Sequence, residues 1–399
     1  MKNGWQTKHI GDLCEVIAGQ SPDGQFYNTD GKGMAFYQGK KDFGEKFIEA
    51  PTTWTTRTTK IAREGDILMS VRAPVGPVNF ATDEICIGRG LAAIRSGAEL
   101  NSNFLFYQLL HLQPAIGGKE GAVFASINKA GIEQLAIAFA PLPEQQRIVG
   151  ILDEAFEGIA IAKNNAEKNL QNARELFQSH LQAVFTRKGG GTWVETTIGA
   201  LCDVRHGFSF DGADFSNDVP EGNPRVLTPG NFTEDGRLLF NEKNTKRFSG
   251  DRPAGYLFDE GDLVVVMTDL SSKMKILGKP AFVETDNVLH NQRIGRVVFL
   301  NDSVDKRFLY YFMMTEGFLK NIKESSTGTM VKHTAPKRIL SNVIVFPSDR
   351  KEQTTIIRTL DSLLDETHRL ASIYERKLAA LEELKKSILQ KAFEGELTG

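Results

Sequence analysis

The stretch WQTKHIGDLCEV (Trp5–Val16) recurs later in the chain as WVETTIGALCDV (Trp193–Val204). Both copies place a tryptophan, an Ile-Gly pair and a Leu-Cys-x-Val run at the same spacing. Repeats of solenoid proteins are about 20 to 50 residues long, and these two copies start much farther apart. The sequence therefore predicts that a whole folding module has been duplicated within one chain.

The duplication continues in the same order through both halves. The matching segments are Gly65-Asp66-Ile67-Leu68 with Gly261-Asp262-Leu263-Val264, Phe104-Leu105-Phe106-Tyr107 with Phe308-Leu309-Tyr310-Tyr311, Glu144-Gln145 with Glu352-Gln353, and Leu152-Asp153 with Leu360-Asp361. A chain of 399 residues exceeds what one hydrophobic core usually supports. We therefore expect two domains and the elements that connect them.

The composition is that of an ordinary globular protein, with 41% apolar and 25% charged residues. No apolar run approaches the roughly 18 residues of a membrane helix, and the first residues lack a signal-peptide core. Three cysteines, an odd number in a long chain, favour a reducing cytoplasm. Cys14 and Cys202 occupy the same repeat position and are expected to be small core residues. The scattered histidines lack the spacing of metal ligands, so no metal site is expected.

The net charge of −2 provides no overall basic surface, so any contact with nucleic acid would have to be local. Two stretches contain no acidic residue and are candidates for basic patches. They are Ser271–Val283, with Lys273, Lys275 and Lys279, and Ser325–Leu340, with Lys332, His333, Lys337 and Arg338. An ordinary solvated face is the alternative interpretation of each.

Residues 1–143 and 189–347 are each predicted to form a compact α+β domain of short strands, short helices and long loops. The predicted strands are Asp66–Val71, Leu91–Arg95 and Ala136–Ala140 in the first copy, and Asp262–Met267, Ile294–Leu300 and Asn342–Phe346 in the second. One short helix is expected in each copy, at Asn103–His111 and Lys306–Met314. Loops on a rigid scaffold are where binding residues usually lie.

Residues 144–188 and 348–399 show a different pattern, in which apolar residues recur in alternating steps of four and three. This is the seam of a coiled coil, and it includes Leu176, His180 and the polar residues Asn165, Asn169 and Thr367, which we expect to fix the register. Each segment is predicted to be one helix of roughly 42 residues, about 63 Å long. Because an exposed apolar stripe of that length would aggregate, we expect the two helices to pair.

The ends of both helices carry recognisable signals. Pro141 and Pro143 precede the first helix, Asp349 and Glu352 offer a capping box for the second, and Gly189-Gly190-Gly191 and Gly395 are the stop signals. Gly150 and Gly158 are expected to weaken the first turns of the first helix. Since each helix follows its own domain, an antiparallel coiled coil would put one domain at each end, with pseudo-two-fold symmetry.

Catalytic motifs are missing from the sequence. There is no G-x-x-x-x-G-K-[ST] phosphate loop, no G-x-G-x-x-G, no G-x-S-x-G elbow and no H-E-x-x-H pair. A binding and spacing role is therefore predicted. Two alternatives stay open: a coiled-coil scaffold that binds proteins without sequence-specific DNA binding, and a self-contained nuclease built on Asp23, Asp30 and Lys32.

The run Leu142-Pro143-Glu144-Gln145-Gln146-Arg147-Ile148-Val149 leads into the first long helix, and Leu389-Gln390-Lys391-Ala392-Phe393-Glu394-Gly395-Glu396-Leu397 closes the chain. With the Gly-Asp-Ile-Leu strand and the duplicated layout, the sequence resembles the specificity subunit of type I restriction–modification systems. The resemblance covers essentially the whole chain. In the second copy the helix motif has changed to Ser348-Asp349-Arg350-Lys351-Glu352-Gln353.

The resemblance implies a non-catalytic subunit of a bacterial defence complex. It implies two target-recognition domains, each reading one half of a split, asymmetric site on double-stranded DNA, and helices that act as a ruler for the unspecified spacer. It also implies two methyltransferase subunits, which bind S-adenosylmethionine and flip out an adenine, and restriction/translocase subunits that use ATP and Mg. No cofactor is expected on this chain itself.

Candidate DNA-binding residues are polar and basic side chains in the loops, because such side chains read base edges in the major groove and contact phosphates. In the first domain they are Gln20, Ser21, Lys40, Lys41, Arg57, Lys60, Arg72 and Lys129. In the second domain they are His206, Ser209, Lys246, Arg247, Lys273, Lys275, Lys332 and His333.

Overall fold

The duplicated segments fold as two separate units in a computed structural model, which describes residues 4–116, 126–186, 192–216, 222–251 and 254–394. The first unit comprises Met1–Lys168 and Tyr374–Gly399, and the second comprises Asn169–Ile373. Each unit therefore contains one globular domain and part of each long helix.

The first unit contains short strands and few helices. Its strands are β1 (Gln6–His9), β2 (Cys14–Ala18), β3 (Tyr27–Asn28), β4 (Met34–Tyr37), β5 (Trp54–Thr55), β6 (Ile61–Ala62), β7 (Ile67–Ser70), β8 (Val78–Phe80), β9 (Ile85–Ile87), β10 (Leu91–Ser96) and β11 (Ala136–Phe139). Its helices are α1 (Ile10–Leu13), α2 (Ser102–Ile116), α3 (Lys129–Glu133) and the start of α4 (Leu142–Phe185). The three strands and the short helix predicted in this copy are confirmed.

The second unit has a similar order of elements. Its strands are β12 (Trp193–Thr197), β13 (Cys202–His206), β14 (Phe215–Ser216), β15 (Arg225–Leu227), β16 (Arg247–Phe248), β17 (Leu263–Val266), β18 (Thr268–Asp269), β19 (Pro280–Phe282), β20 (Val288–His290), β21 (Ile294–Phe299), β22 (Lys332–His333) and β23 (Val343–Pro347). Its helices are α5 (Lys306–Met313), α6 (Glu316–Glu324), α7 (Pro336–Leu340) and the start of α8 (Arg350–Glu394). The helix α6 and the strand pair β18-β22 are additional to the elements described in the first unit. The predicted strands and short helix are again confirmed.

The main four-stranded sheet has the same topology in both units, and the second sheets are similar. A four-stranded sheet has the order β2-β10-β7-β8 in the first unit and β13-β21-β17-β19 in the second. A second sheet has the order β3-β5-β4-β9-β6 in the first unit and β14-β16-β15-β20 in the second. In that sheet β4 pairs with β9, and β15 with β20, in parallel. The predicted duplication of a whole α+β module is thus confirmed.

The repeated residues belong to the framework of each domain. Ile10 and Ile198 are no more than 1% exposed, and Phe104 and Phe308 are completely buried. Cys202 is buried and Cys14 is half-buried. Burial raises the pKa of the Cys14 thiol to about 11 and that of Cys202 to about 12. Both cysteines are therefore protonated near neutral pH, as core residues would be.

The repeated Gly-Asp pair forms the turn that precedes the central strand. Gly65 and Gly261 have φ values of +83° and +84°, which favour glycine. Asp66 then accepts the backbone N–H of Arg63 at 2.8 Å, and Asp262 accepts that of Asp259 at 2.8 Å. Each motif therefore fixes the direction in which β7 or β17 starts.

Two long helices, α4 and α8, pack together. In the first unit Lys163 on α4 pairs with Glu382 on α8 at 2.8 Å, and the Lys385 ammonium lies 5.1 Å from the Phe156 ring centroid. Residue numbers rise along one helix as they fall along the other, so the pairing is antiparallel here. The prediction of two α+β domains with two paired long helices is confirmed, and α4 continues without interruption through Gly150 and Gly158.

The repeated glutamine of each helix motif attaches the helix to its domain. Gln145 is completely buried; its amide oxygen accepts Asn101 N–H at 2.8 Å, and its amide nitrogen donates to the carbonyls of Glu99 and Ala140. Gln353 makes the same three bonds, accepting from Asp305 N–H and donating to the carbonyls of Ser303 and Pro347.

A tyrosine–aspartate pair forms a second attachment point about two turns farther along each helix. Tyr107 donates to Asp153 in the first unit, and Tyr311 donates to Asp361 in the second. A cation joins each pair: Lys46 lies 2.9 Å from Asp153, and Arg307 lies 2.6 Å from Asp361. Burial and the neighbouring carboxylate raise the pKa of both tyrosines, so both hydroxyls stay protonated and continue to donate.

The predicted seam of α4 is wrong in its C-terminal part. Leu176 is 59% exposed and His180 is exposed, whereas Phe177 and Leu181 are buried. The phase differs because Phe177 and Leu181 pack into the globular core of the second unit, which a heptad pattern does not take into account. Asn165 and Asn169 are likewise exposed.

Two other expectations about the helices also need correction. Thr367 is buried, but its hydroxyl donates to the Leu363 carbonyl in its own helix, so it makes no register-fixing bond to α4. Glu352 does not complete a capping box; its carboxylate accepts the Trp193 indole N–H and the Thr192 hydroxyl, each at 3.0 Å. The reason is that β12 pairs with β23 directly before α8. The stop signals Gly189-Gly190-Gly191 and Gly395 lie outside the described residues.

Candidate nucleic-acid interface

In the first unit, a tight turn between β9 and β10 presents one long side chain. Leu91 N–H donates to the Gly88 carbonyl at 3.0 Å and closes the turn. The Gly90 N–H donates to Gln38 at 3.1 Å, and a Cβ on Gly90 would lie 2.3 Å from the Gln38 oxygen. Only glycine fits there, so Arg89 is the one side chain longer than a hydrogen at the tip, and it is exposed.

This β9–β10 turn (Gly88–Leu91) borders a cleft of about 390 Å³. Arg72, Arg89 and Lys129 all line it, and none of the described residues that line it is acidic, although Lys129 also lies 3.5 Å from Glu133 in its own helix. Arg72 sits at the end of the central strand, where it pairs with Ser126. Lys129 begins α3, whose first turn is capped by Asn128. Three cations from three different loops thus meet at one concave surface, where an anion would be attracted.

The other predicted residues of the first unit surround this turn to different degrees. Ser21 Oγ accepts the Arg89 N–H at 3.1 Å, Gln20 N–H donates to the Ile87 carbonyl, and the Lys60 carbonyl accepts the Ile87 N–H. Lys40 and Lys41 lie in a short 3-10 turn just after Gln38. Arg57 instead packs over the Phe26 ring, 5.4 Å from its centroid.

The second unit has an equivalent turn, Asn291–Ile294, between β20 and β21. The Ile294 N–H donates to the Asn291 carbonyl at 3.0 Å, and the Met267 N–H donates to the Arg293 carbonyl at 2.9 Å. Gln292 and Arg293 are both exposed at the tip of this β20–β21 turn. His206 and Ser209 belong to the adjoining segment, which is held by Phe208 N–H donating to the His290 carbonyl at 2.8 Å.

A short strand pair lies next to the β20–β21 turn. Thr268 and His333 are partners in this pair, and Thr268 Oγ1 lies 3.1 Å from His333 Nδ1. The buried Asp269 accepts the N–H groups of Ser271 and Ile276, and so shapes the loop that carries Lys273 and Lys275. The predicted Lys332 and His333 are thereby placed near that loop.

The ammonium groups of this loop and strand differ in how free they are. Lys275 pairs with Glu234 at 2.6 Å, and Lys332 donates to the Gly328 carbonyl at 2.8 Å. Lys273 is exposed. Lys279, which the sequence places in the same basic stretch, is only 8% exposed, and burial lowers its pKa to about 8. Its assignment to a surface patch is wrong, because it packs beneath the loop beside Met314.

Two predicted residues lie on another sheet of the second unit. Lys246 precedes β16, and Arg247 lies within it as the cross-strand partner of Arg225. The Arg247 guanidinium donates to the Asn223 carbonyl at 2.6 Å. The residues considered for a nuclease site lie in exposed loops of the first unit, where Asp30 and Lys32 form an ion pair at 4.0 Å.

The candidates predicted from the sequence did not include Arg89, Thr268, Gln292 and Arg293, which the structure places at or beside the two turns. A signal was available in the first copy, because Gly88-Arg89-Gly90 sits between two strand-forming segments. Glycines on both sides of one long residue, between two strands, are typical of a tight turn that displays that residue. The second copy has Asn291-Gln292-Arg293 at this point, so the repeat alone does not reveal the site.

The comparison with known families is decisive. The sequence pattern of the type I restriction modification DNA specificity domain matches the chain twice, over residues 2–171 and 190–377. The chain belongs to this family. It therefore supplies the DNA specificity of a type I restriction–modification system, and in this family catalysis and cofactors reside on partner subunits.

Individual relatives agree with the family assignment. The chain is 39% identical over 183 residues to a Methanocaldococcus jannaschii protein described as the type I restriction enzyme MjaX specificity subunit. The aligned region covers 44% of this chain and 42% of that protein. It is 22% identical to the MjaVIII specificity subunit of the same organism, over 98% of this chain and 93% of that protein. The chain thus spans under half of the first relative and nearly all of the second.

A solved structure shows the same fold. It comes from work on complex assembly and conformational transition of the type I restriction–modification system, and matches with a TM-score of 0.77 at 18% identity, over 99% of both chains. Within the described part of this specificity subunit, no helix has the length and apolar character needed to cross a membrane.

Proposed function

We propose that each domain of this specificity subunit reads one half of a bipartite, asymmetric site on double-stranded DNA. The observation that carries the proposal is that both domains hold the same turn on the same hydrogen-bonded frame but equip it with different side chains. A shared frame would meet the same feature of the duplex, while different side chains would select different bases. The first half-site would contact residues 1–143 and the second would contact residues 189–347.

The candidate DNA-binding residues divide by chemistry. Arg72, Lys129, Lys60 and Lys273 are exposed cations beside the turns and suit phosphate contacts, which position a protein on DNA without reading sequence. Gln20, Ser21, Ser209 and His333 carry polar groups that suit base edges or sugars. The remaining candidates, Lys40, Lys41, Arg57, His206, Lys246, Arg247, Lys275 and Lys332, would contribute at the margins of the interface.

The proposed complex includes two methyltransferase subunits, with restriction/translocase subunits joining for cleavage. S-adenosylmethionine, ATP and Mg would be bound by those partners, and the complex would act in the cytoplasm. The net charge of −2 supports a shared interface, because a chain with so little positive charge gains limited affinity from phosphates alone. The long helices would set the length of the unspecified spacer between the two half-sites.

The proposal is tested with the chain assembled with its methyltransferase subunit. Methylation mapping of DNA treated with this complex should give one bipartite, asymmetric motif, and the chain alone should methylate nothing with S-adenosylmethionine. Arg72→Gln and Lys129→Gln should each weaken binding for all sequences alike and reduce the slope of log K against log salt by about 0.9. The motif should not change.

Lys168→Gln is a suitable control, because Lys168 is an exposed cation on α4 that is not among the residues lining the cleft. It should leave the affinity and the salt slope unchanged. Methyl transfer by the chain without a partner, or DNA binding by the complex without any sequence preference, would refute the proposed function.

A further inference from the structure

The two turns share two backbone hydrogen bonds, which place Arg89 and Gln292 at equivalent positions. Arg89 follows Gly88, whose carbonyl accepts the Leu91 N–H at 3.0 Å. Gln292 follows Asn291, whose carbonyl accepts the Ile294 N–H at 3.0 Å. The carbonyl of the next residue accepts an N–H from the end of the central strand: Gly90 accepts from Val71 at 3.0 Å, and Arg293 accepts from Met267 at 2.9 Å. The side chains of Arg89 and Gln292 therefore leave the two frameworks at the same point.

Neither side chain has a structural task. Within the described residues, no hydrogen bond or ion pair joins the Arg89 guanidinium or the Gln292 amide to another side chain, and both are exposed. By contrast, the backbone N–H of each is fixed, by Ser21 Oγ at 3.1 Å and by the Phe208 carbonyl at 3.0 Å. A rigid backbone with a free polar end group is the arrangement that a reader of base edges needs.

The chemistry of the pair favours bases over phosphates. An arginine could serve either, but a neutral glutamine at the same position is a poor phosphate ligand. Arginine donates two parallel hydrogen bonds to O6 and N7 of guanine, and glutamine bonds to N6 and N7 of adenine. In the first unit, phosphate contact can be left to Arg72 and Lys129, which line the same cleft as Arg89.

We propose that the residue at the tip of this turn determines one base of each half-site: Arg89 selects a guanine, and Gln292 selects an adenine. The inference rests on the proposed function, and it adds the residues and the bases. Each bidentate contact should discriminate against the wrong base by roughly 5- to 150-fold.

The test uses the full chain, assembled with its methyltransferase subunit, in wild-type form and with Arg89→Gln or Gln292→Arg. The wild-type motif is mapped first by sequencing methylated DNA. Arg89→Gln should then replace or relax one guanine in one half-site and leave the other half-site intact. Gln292→Arg should do the same to one adenine in the other half-site, and equal thermal unfolding midpoints should show that both variants fold.

Arg89→Lys separates base reading from charge, since it keeps the cation but loses the bidentate geometry. If both Arg89 variants retain every base of the wild-type motif, with or without a general loss of methylation, the inference is overturned. If Arg89→Gln abolishes methylation, the affinity of the complex for duplexes substituted at each guanine is measured instead. An equal loss of affinity for all of these duplexes also overturns the inference. A wild-type complex without a bipartite motif would refute the proposed function instead.

Discussion

At the scale of single residues, the buried glutamines Gln145 and Gln353 explain why a Glu-Gln pair recurs at the start of both long helices. Each one bonds to three backbone groups that its domain leaves open, on two different segments. Buried backbone groups without partners are costly, so the side chain cannot be replaced by an apolar one. The motif thus serves the attachment of the helix, and DNA recognition needs other residues.

We predict that Gln145→Leu destabilises the first unit by about 2–4 kcal/mol. The leucine fills most of the space, but it removes the partner of the buried Ala140 carbonyl and of the Asn101 N–H and Glu99 carbonyl, which are less buried. A fully buried polar group without a partner costs roughly 1–3 kcal/mol, and the two more accessible groups add less because water can reach them. Hydrogen exchange followed by mass spectrometry should show faster exchange in α2 and β11, and urea unfolding should give the free energy.

Gln146→Leu is the matched control, because Gln146 is adjacent and exposed. It should change the free energy of unfolding by no more than about 0.5 kcal/mol. Equal effects of the two substitutions would contradict the attachment role of Gln145.

At the scale of elements, the phase of α4 changes where it enters the second unit. Buried positions follow the coiled-coil spacing up to Ala166 and Ala173, and then continue at Phe177 and Leu181. Phe177 lies 6.4 Å from Tyr311, ring centroid to ring centroid. The helix α4 is therefore part of the coiled coil along one stretch and part of the globular core of the second unit along another.

This phase predicts opposite outcomes for two neighbouring substitutions. Phe177→Ala should destabilise the second unit by about 3–5 kcal/mol, since it empties a buried aromatic site. Leu176→Ala should change the free energy of unfolding by about 0.5 kcal/mol or less, because Leu176 is 59% exposed. Urea unfolding of both variants measures the difference. A larger loss of unfolding free energy for Leu176→Ala than for Phe177→Ala would instead support the heptad phase expected from the sequence.

The elements themselves could largely be predicted from the sequence. Local periodicity of apolar residues can be read directly from the sequence. It predicts strands such as Leu91–Ser96 and the helices Leu142–Phe185 and Arg350–Glu394. The parallel pairing of β4 with β9 could not be predicted, because it depends on contacts between distant segments. The helix phase failed for the same reason.

The candidate site was predictable only in part. Arg72 and Lys129, which were predicted as candidates, do line the cleft, because a loop after a central strand and a basic residue after a loop are local signals. Arg89 was missed, since Gly-Arg-Gly marks a break in a strand pattern and only the fold shows that it points into the cleft. Lys279 was misplaced because the charge of a stretch does not reveal which of its residues is buried.

At the scale of the whole molecule, repetition and difference have separate roles. The repeated residues form cores, turns and helix attachments, and the hydrogen bonds of the Gly-Asp turns, the buried glutamines and the Tyr-Asp pairs are the same in both units. The residues that differ include those at the tips of the β9–β10 and β20–β21 turns, Gly88-Arg89-Gly90 and Asn291-Gln292-Arg293. Such a division lets one half change its side chains without disturbing the framework or the attachment of the helices.

A domain exchange tests this division. We predict that replacing residues 1–143 by a copy of residues 189–347 gives a chain that folds and assembles, because the copied domain brings its own Tyr311 and its own open backbone groups at Ser303 and Asp305. These can engage Asp153 and Gln145 as they engage Asp361 and Gln353 in the native chain.

With its methyltransferase subunit, this chimaera should methylate a site in which both half-sites have the sequence of the native second half-site. Methylation mapping of treated DNA gives the result directly, and the reverse exchange, which puts residues 1–143 in place of 189–347, should give the native first half-site twice. Retention of the native first half-site by the first chimaera would show that bases are read outside residues 1–143. In that case the side chains around the β9–β10 turn would not be the source of specificity.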